Sequence, residues 1–250
     1  MTQITSPQNP RLQTVRRLAG GRERKRSGRF IAEGEDLIAA ARGAGREVVE
    51  GFRLAGSALG GKGFHDVEPS ALRAVSTLGS GTRVIGVYEQ RWSSAAGPLC
   101  VYLHGVGDPG NVGTVLRAAQ AFGASSVALG PGCADPHSPK AVRASMGAIF
   151  AVTLARVDDV RQLPGERIAL AADAERPLRG DTEAAPPGGR TLLVGAEREG
   201  LPPAALAACE RVARIPIASE SLNAAMAATI ALYELTRRPD APRSSRVRAA

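Results

Sequence analysis

The chain is poor in the residues that build disulfide scaffolds and metal sites. Its three cysteines, Cys100, Cys133 and Cys209, lie far apart in apolar or loop contexts without ligand spacing, so they read as reduced structural thiols. His65, His104 and His137 are the only histidines and share no ligand spacing either, so no metal is expected. Aromatic residues make up 4% of the chain, and the single tryptophan, Trp92, sits in Arg-Trp-Ser-Ser-Ala-Ala-Gly-Pro, where packing at a junction is a better reading than a base-stacking platform. No apolar run approaches the roughly 18 residues of a membrane span. The start, Met1-Thr2-Gln3-Ile4, lacks the apolar segment of a signal peptide, so a cytoplasmic protein without a membrane is the expectation.

Acidic residues are scarce at the two ends. Residues 1 to 30 carry eight Arg or Lys against Glu23, and residues 237 to 250 carry five Arg against Asp240. With a formal net charge of +8 overall, the middle must sum to −3. Clustered arginine suits phosphate oxygens and releases counterions from a nucleic acid. Charge alone serves solvated basic tails equally well.

At 250 residues the chain can form one large domain or two small ones. A basic helix over 12–19 ends at Gly20-Gly21; a short strand at 30–32, a helix to Ala44, a strand at 48–54, a helix near 69–78 and a strand at 83–88 make an α/β unit spanning 1–91. The segment 56–63 reads as a loop, and 92–98 has linker composition. Beyond it, strands at 99–103, 126–129, 151–154 and 167–171 alternate with helices at 111–122, 140–148 and 158–163, the pattern of a largely parallel sheet covered on both faces. Residues 239–250 read as a basic disordered tail.

The most informative stretch runs from Arg190 to Arg237. Thr191-Leu192-Leu193-Val194 has the length of a buried strand and leads into Gly195-Ala196-Glu197-Arg198-Glu199-Gly200-Leu201-Pro202. A second run, 212–217, leads into Ser221-Leu222-Asn223, where Ser and Asn are suited to cap a helix. Leu222, Ala225, Met226, Thr229, Leu232 and Tyr233 then recur at helical spacing as an expected buried face. Ligands of α/β sheets bind at the carboxyl ends of strands, so a pocket is expected where these segments meet.

Upstream stands Asn111-Val112-Gly113-Thr114-Val115-Leu116-Arg117. These three segments, in order, resemble the motifs of the SpoU (TrmH-like) branch of the SPOUT RNA methyltransferases. The resemblance covers 99–238 closely, and 1–91 is similar to the L30e-like substrate-binding domain that precedes it in many of these enzymes. It implies a trefoil-knotted α/β catalytic domain, S-adenosylmethionine as cofactor, ribose 2′-O-methylation of RNA (ribosomal rather than transfer RNA), and a homodimer. By the same resemblance Asn111, Arg117, Glu197, Ser221 and Asn223 form the catalytic set, and Gly195, Leu201, Ile215 and Leu222 hold the cofactor. Arg143 and Ser145-Met146-Gly147-Ala148 look like a further family element.

The residues also admit plainer readings. Asn111 is a good N-cap for a helix starting there, Arg117 could be a solvated arginine, and Glu197 could sit in the first turn of a helix begun by Pro202-Pro203. A carboxylate at Glu197 could instead orient Arg117 or accept a proton. Gly105-x-Gly107-x-x-Gly110 meets a bare dinucleotide-binding pattern, but Pro109 interrupts it and no acidic residue ends a strand about 20 residues on. A non-catalytic RNA-binding factor with the same fold is the remaining alternative.

Overall fold

The computed structural model describes residues 3–179, 186–219 and 221–237. The basic segment 239–250 lies outside the described residues.

Two sheets organise the chain. The first is built from β1 (Arg29–Glu33), β2 (Glu50–Leu54), β3 (Phe64–Val67) and β4 (Val84–Glu89) in the order β1-β4-β2-β3. Its pairs are antiparallel except β2 with β3. Helices α1 (Pro10–Leu18), α2 (Gly21–Ser27), α3 (Glu35–Gly43) and α4 (Pro69–Val75) surround it. Side chains of a strand alternate between faces, and β1 shows the result: Ile31 joins Leu12, Val15 and Leu72 on one face, while Phe30 and Ala32 point to the other. β3, absent from the sequence reading, is a four-residue strand whose middle residues, His65 and Asp66, are only half-buried, too short and polar for a pattern to reveal. The helix α2 was also unread, because Gly-Arg-Glu-Arg-Lys-Arg-Ser carries no apolar period.

The second sheet comprises β5 (Leu99–Leu103), β6 (Ser126–Leu129), β7 (Thr153–Arg156), β8 (Glu166–Leu170), β9 (Arg190–Val194) and β10 (Arg211–Ala213). Its order is β10-β8-β9-β5-β6-β7 and every pair is parallel. Val101, Leu103, Leu192 and Val194 pack on one face; Cys100, Tyr102 and Leu193 on the other. Both faces are therefore dry, as a parallel sheet requires. Around it lie α5 (Pro109–Ala121), α6 (Pro139–Ala144), α7 (Ala148–Ala151), α8 (Pro203–Ala207) and α9 (Ala224–Thr236). This α/β architecture with a parallel sheet is the expected class.

Four local expectations change. The single helix read over 140–148 is split into α6 and α7, because Met146 adopts φ 48° and Gly147 φ 94°. The helix read over 158–163 shrinks to one 3-10 turn, Val160–Gln162. The run 212–217 is a strand only to Ala213, since Arg214 turns its backbone bonds from β8 to Arg176 and Leu178. On α9 the buried face is Ala224, Ala225, Ala228, Ala231 and Leu232, whereas Met226 and Tyr233 are about half exposed, at 56% and 53%.

The sheets are not separated by a loose tether. One apolar cluster runs from Phe30, Ile38 and Tyr88 to Ile149 and Phe150, and α3 contacts α7. The segment read as a linker is pinned along the large sheet: Ser93 N donates to Leu154 O at 2.8 Å, and Ser126 Oγ donates to Ala96 O at 2.7 Å. Small residues look like linker chemistry, yet here their backbone groups hold the extended segment down, with the Ser126 hydroxyl of β6 as a side-chain partner.

Candidate functional site

The site lies at the carboxyl edge of the large sheet, where the chain leaves β8 and β9. A cavity of about 690 Å³ opens there between the 195–201 turn, the 215–222 segment and the start of α9. Gly195, Leu201, Ile215 and Leu222 all line it, together with Glu197 and Ser221. Gly195 has a local reason to be glycine. A Cβ there would stand 2.2 Å from the carbonyl carbon of Gly200, because the turn folds back with Gly200 N donating to Ala196 O at 3.0 Å.

Glu197 is the hinge of the arrangement. Its Oε1 accepts from Asn111 Nδ2 at 2.5 Å and, at 3.4 Å, from the backbone N of Ala224 at the first turn of α9. A carboxylate is favoured at a helix N-terminus, where unpaired N–H groups carry partial positive charge. Asn223 Nδ2 donates to Asn111 Oδ1 at 3.0 Å, while its Oδ1 accepts from Ala225 N and Met226 N. Three side chains from α5, the turn after β9 and the cap of α9 thus form one connected network. Both amide orientations are set by these partners.

Asn111 does not cap its helix. Asp108 does, with Oδ1 accepting from Asn111 N at 2.9 Å, and the helix begins at Pro109. The Asp108-Pro109 pair, an acceptor followed by proline at the first helical position, was the signal for this start. Lys140 Nζ on Asp108 Oδ2 at 2.6 Å holds the Asp108 carboxyl below its ordinary range. Relieved of capping, the Asn111 side chain is free for Glu197 and Asn223.

Glu197 likewise does not start the helix after it, since α8 begins only at Pro203. Nor does it pair with Arg117. That arginine is exposed on α5 beside Thr114 and Gln120, and makes no hydrogen bond or ion pair with the described residues. Six residues of helix separate it from Asn111, about 9 Å along the axis. The guanidinium therefore lies nearly two turns of helix beyond Asn111, outside the network, with all its donors available. Ser221 lines the cavity without capping α9; that role belongs to Asn223. The Ala224 backbone N–H is a member of the site that side-chain motifs could not name.

Glu199 and Asp173 also line the cavity, without a hydrogen bond to Asn111 or α9 among the described residues. Burial pushes the Tyr102 phenol up to about 12, and its oxygen lies 3.1 Å from His104 Nδ1. Among the described residues no group of three or more His, Cys, Asp or Glu could hold a metal ion. A volume of this size lies within the range of small-molecule sites. Its apolar walls and open backbone suit an adenine and a sulfonium, which need no phosphate loop.

Residues 98–233 match the SpoU rRNA Methylase family. The 23S rRNA (guanosine(2553)-2′-O)-methyltransferase RlmP of Bacillus subtilis is 28% identical over 248 residues, spanning 94% of this chain and 99% of that protein. The 23S rRNA (uridine(2479)-2′-O)-methyltransferase of Streptomyces viridochromogenes is 35% identical over 145 residues, 52% of this chain and 49% of that one. An AdoMet-bound rRNA methyltransferase from Sinorhizobium meliloti superposes with a TM-score of 0.84 at 30% identity, covering 96% of this chain and 99% of that one.

Proposed function

Because the chain belongs to the SpoU rRNA methylase family, we propose that it is an S-adenosylmethionine-dependent ribose 2′-O-methyltransferase of ribosomal RNA. The observation that carries this reading is the Glu197 bridge. One carboxylate lines the apolar cavity and ties it, through Asn111, to the helix that presents Arg117. Bound S-adenosylmethionine would supply an electrophilic methyl group, so the protein's task is alignment and removal of one proton. Gly195, Leu201, Ile215 and Leu222 would hold the adenosine and sulfonium end.

Arg117 anchors the target ribose or its phosphate through paired N–H donors. A guanidinium loses its proton only above about pH 12, which makes it a poor base. Glu197 Oε1 takes both hydrogen bonds, from Asn111 and Ala224, so Oε2 keeps its acceptor capacity for the ribose proton. Asn223 and Ser221 line the approach of the RNA.

The finer reading divides the chain into an L30e-like RNA-binding domain (1–91), a connecting segment (92–98) and a trefoil-knotted methyltransferase domain (99–238), in a cytoplasmic homodimer. Met226 and Tyr233, seven residues apart on one exposed face of α9, support a second copy covering that helix.

Transfer of labelled methyl from S-adenosylmethionine to unmodified rRNA and tRNA tests the proposal, with Arg117→Ala alongside. Label in a ribose 2′-oxygen of rRNA, reduced by about 100-fold or more in the variant while cofactor binding persists, is the expected outcome. Absence of transfer to either RNA, with no cofactor binding, would leave the non-catalytic RNA-binding reading in its place.

A further inference from the structure

A second cavity, of about 370 Å³, opens where α2 of the small sheet unit meets the segments that follow β6 and β7. It shares the carboxyl edge of the large sheet with the site. The segments after β5 and β6 are tied together by Gly105 N to Pro131 O and Ala134 N to Val106 O, both 2.9 Å. Strands β5 and β6 are adjacent, so the cavity lies only two or three strand spacings, about 10–15 Å, from the β9 turn that carries Glu197.

Its walls are unlike those of the first cavity. Arg24 is only 4% exposed, but its charge is already engaged: Nε meets Asp135 Oδ2 at 2.7 Å and Nη1 donates to the carbonyls of Leu18 and Ala19. This clamp fixes α2 against the large sheet. Two other cations on the wall have no such engagement. Lys25 is exposed and makes no ion pair among the described residues. Arg156 is exposed too; its Cζ stands 4.1 Å from the ring centroid of Trp92, at stacking distance. Trp92 is itself held edge-on by His137, with ring centroids 5.3 Å apart. A planar guanidinium is thereby presented on a fixed aromatic base, with an exposed carboxylate, Asp158, on the same wall.

We propose that this seam holds an unpaired nucleobase of the substrate RNA, stacked on Arg156 with its amino group toward Asp158 and its adjoining phosphate on Lys25. The inference rests on the RNA methyltransferase reading above and adds the place where the substrate is gripped beside the reacting ribose. Unpaired bases are recognised by stacking on guanidinium planes and by hydrogen bonds to their edges, and a carboxylate accepts from an exocyclic amine. The Arg24 clamp gives the basic helix a purpose: it carries Lys25 to the sheet edge instead of leaving it on a detached surface.

The test measures binding of the full chain to unmodified 23S rRNA across a salt series. Arg156→Ala should weaken binding about 10-fold. Lys25→Ala should weaken it about threefold and lower the slope of log K against log salt by about 0.7. Arg156→Lys should keep the salt slope yet remain several-fold weaker, because charge survives and the plane does not. Wild-type affinity and slope in both alanine variants overturn the proposal. So does a lowered melting temperature in Arg156→Ala with RNA affinity intact, which assigns the arginine to bracing Trp92 alone. Lys25, on an exposed helix face, keeps the test open if the Arg156 variant does not fold. Loss of methyl transfer in a wild type that still binds RNA strikes the catalytic reading instead.

Discussion

At the β8–β9 end of the carboxyl edge the cavity wall is Gly195, Leu201, Ile215 and Leu222, whereas at the β6–β7 end it is Arg24, Lys25, Arg156 and Asp158. The same parallel sheet terminates in both places. In the first, shape comes from how closely the backbone of one turn approaches itself, and apolar side chains complete it beside the Glu197 carboxylate. In the second, shape comes from the ion pair of almost fully buried Arg24 with Asp135, beside cations that have no ion partner among the described residues. Cavities shaped by backbone proximity are intolerant of added atoms, whereas those shaped by ion pairs respond most to salt and pH. A ligand with one cationic sulfur and a ligand with many phosphates would each find the wall suited to it.

The sharpest way to break this contrast is Gly195→Val. The added atoms meet the Gly200 and Leu201 backbone at 2.2–2.5 Å, so the turn must open. Cofactor affinity measured by calorimetry should fall about 100-fold, near the upper range for misplacing a site by an ångström, with no change in the salt dependence of RNA binding. An unchanged cofactor Kd would show that the cavity is not made by backbone proximity.

The seam should instead respond to acid. His137 is 2% exposed, its Nδ1 finds no hydrogen-bond partner, and burial among Phe30 and Trp92 lowers its pKa to about 4. Asp135 opposes that shift; Arg156, Arg24 and Arg46 reinforce it. The sign follows from the depression. Protonation favours the unfolded chain, so this contribution is complete above the unfolded value near 6.5 and is lost as pH falls from there toward about 4. Wild type should lose on the order of 2 kcal/mol across that window. Urea melts of wild type and His137→Gln between pH 7 and pH 4 check this, and parallel curves for the two would remove His137 as the cause.

Asn223→Ala should act least on stability, about 1 kcal/mol, the usual cost of a lost helix cap. Its effect on methyl transfer should be larger than its effect on melting, because Asn111 loses a partner as well. Equal wild-type turnover would show that the cap alone explains this residue.

Much of the first cavity could be read in advance. Gly195, Leu201, Ile215 and Leu222 lie in short local motifs, and the strands before them are dense in β-branched and leucine side chains. Two things resisted. Asn111 and Asp108 are both good caps three residues apart, and only the proline after Asp108 tips the choice. Glu197 had an equally good local role before Pro203; its actual partner, the N-terminus of α9, is 27 residues away. The seam was almost invisible, because Arg24 meets Asp135 across 111 residues. On α9, four alanines and Leu232 face inward while Met226 and Tyr233 face out, and a hydrophobicity pattern ranks the large side chains first.

Trp92 is the chain's sole indole, and it touches both Arg156 and His137. The molecule therefore carries a built-in optical probe. Excited at the tryptophan band, every photon it emits originates in the seam, with no background from elsewhere in the fold. Binding of a base against the guanidinium, or charging of the imidazole beside it, would alter the colour and yield of that emission without any label.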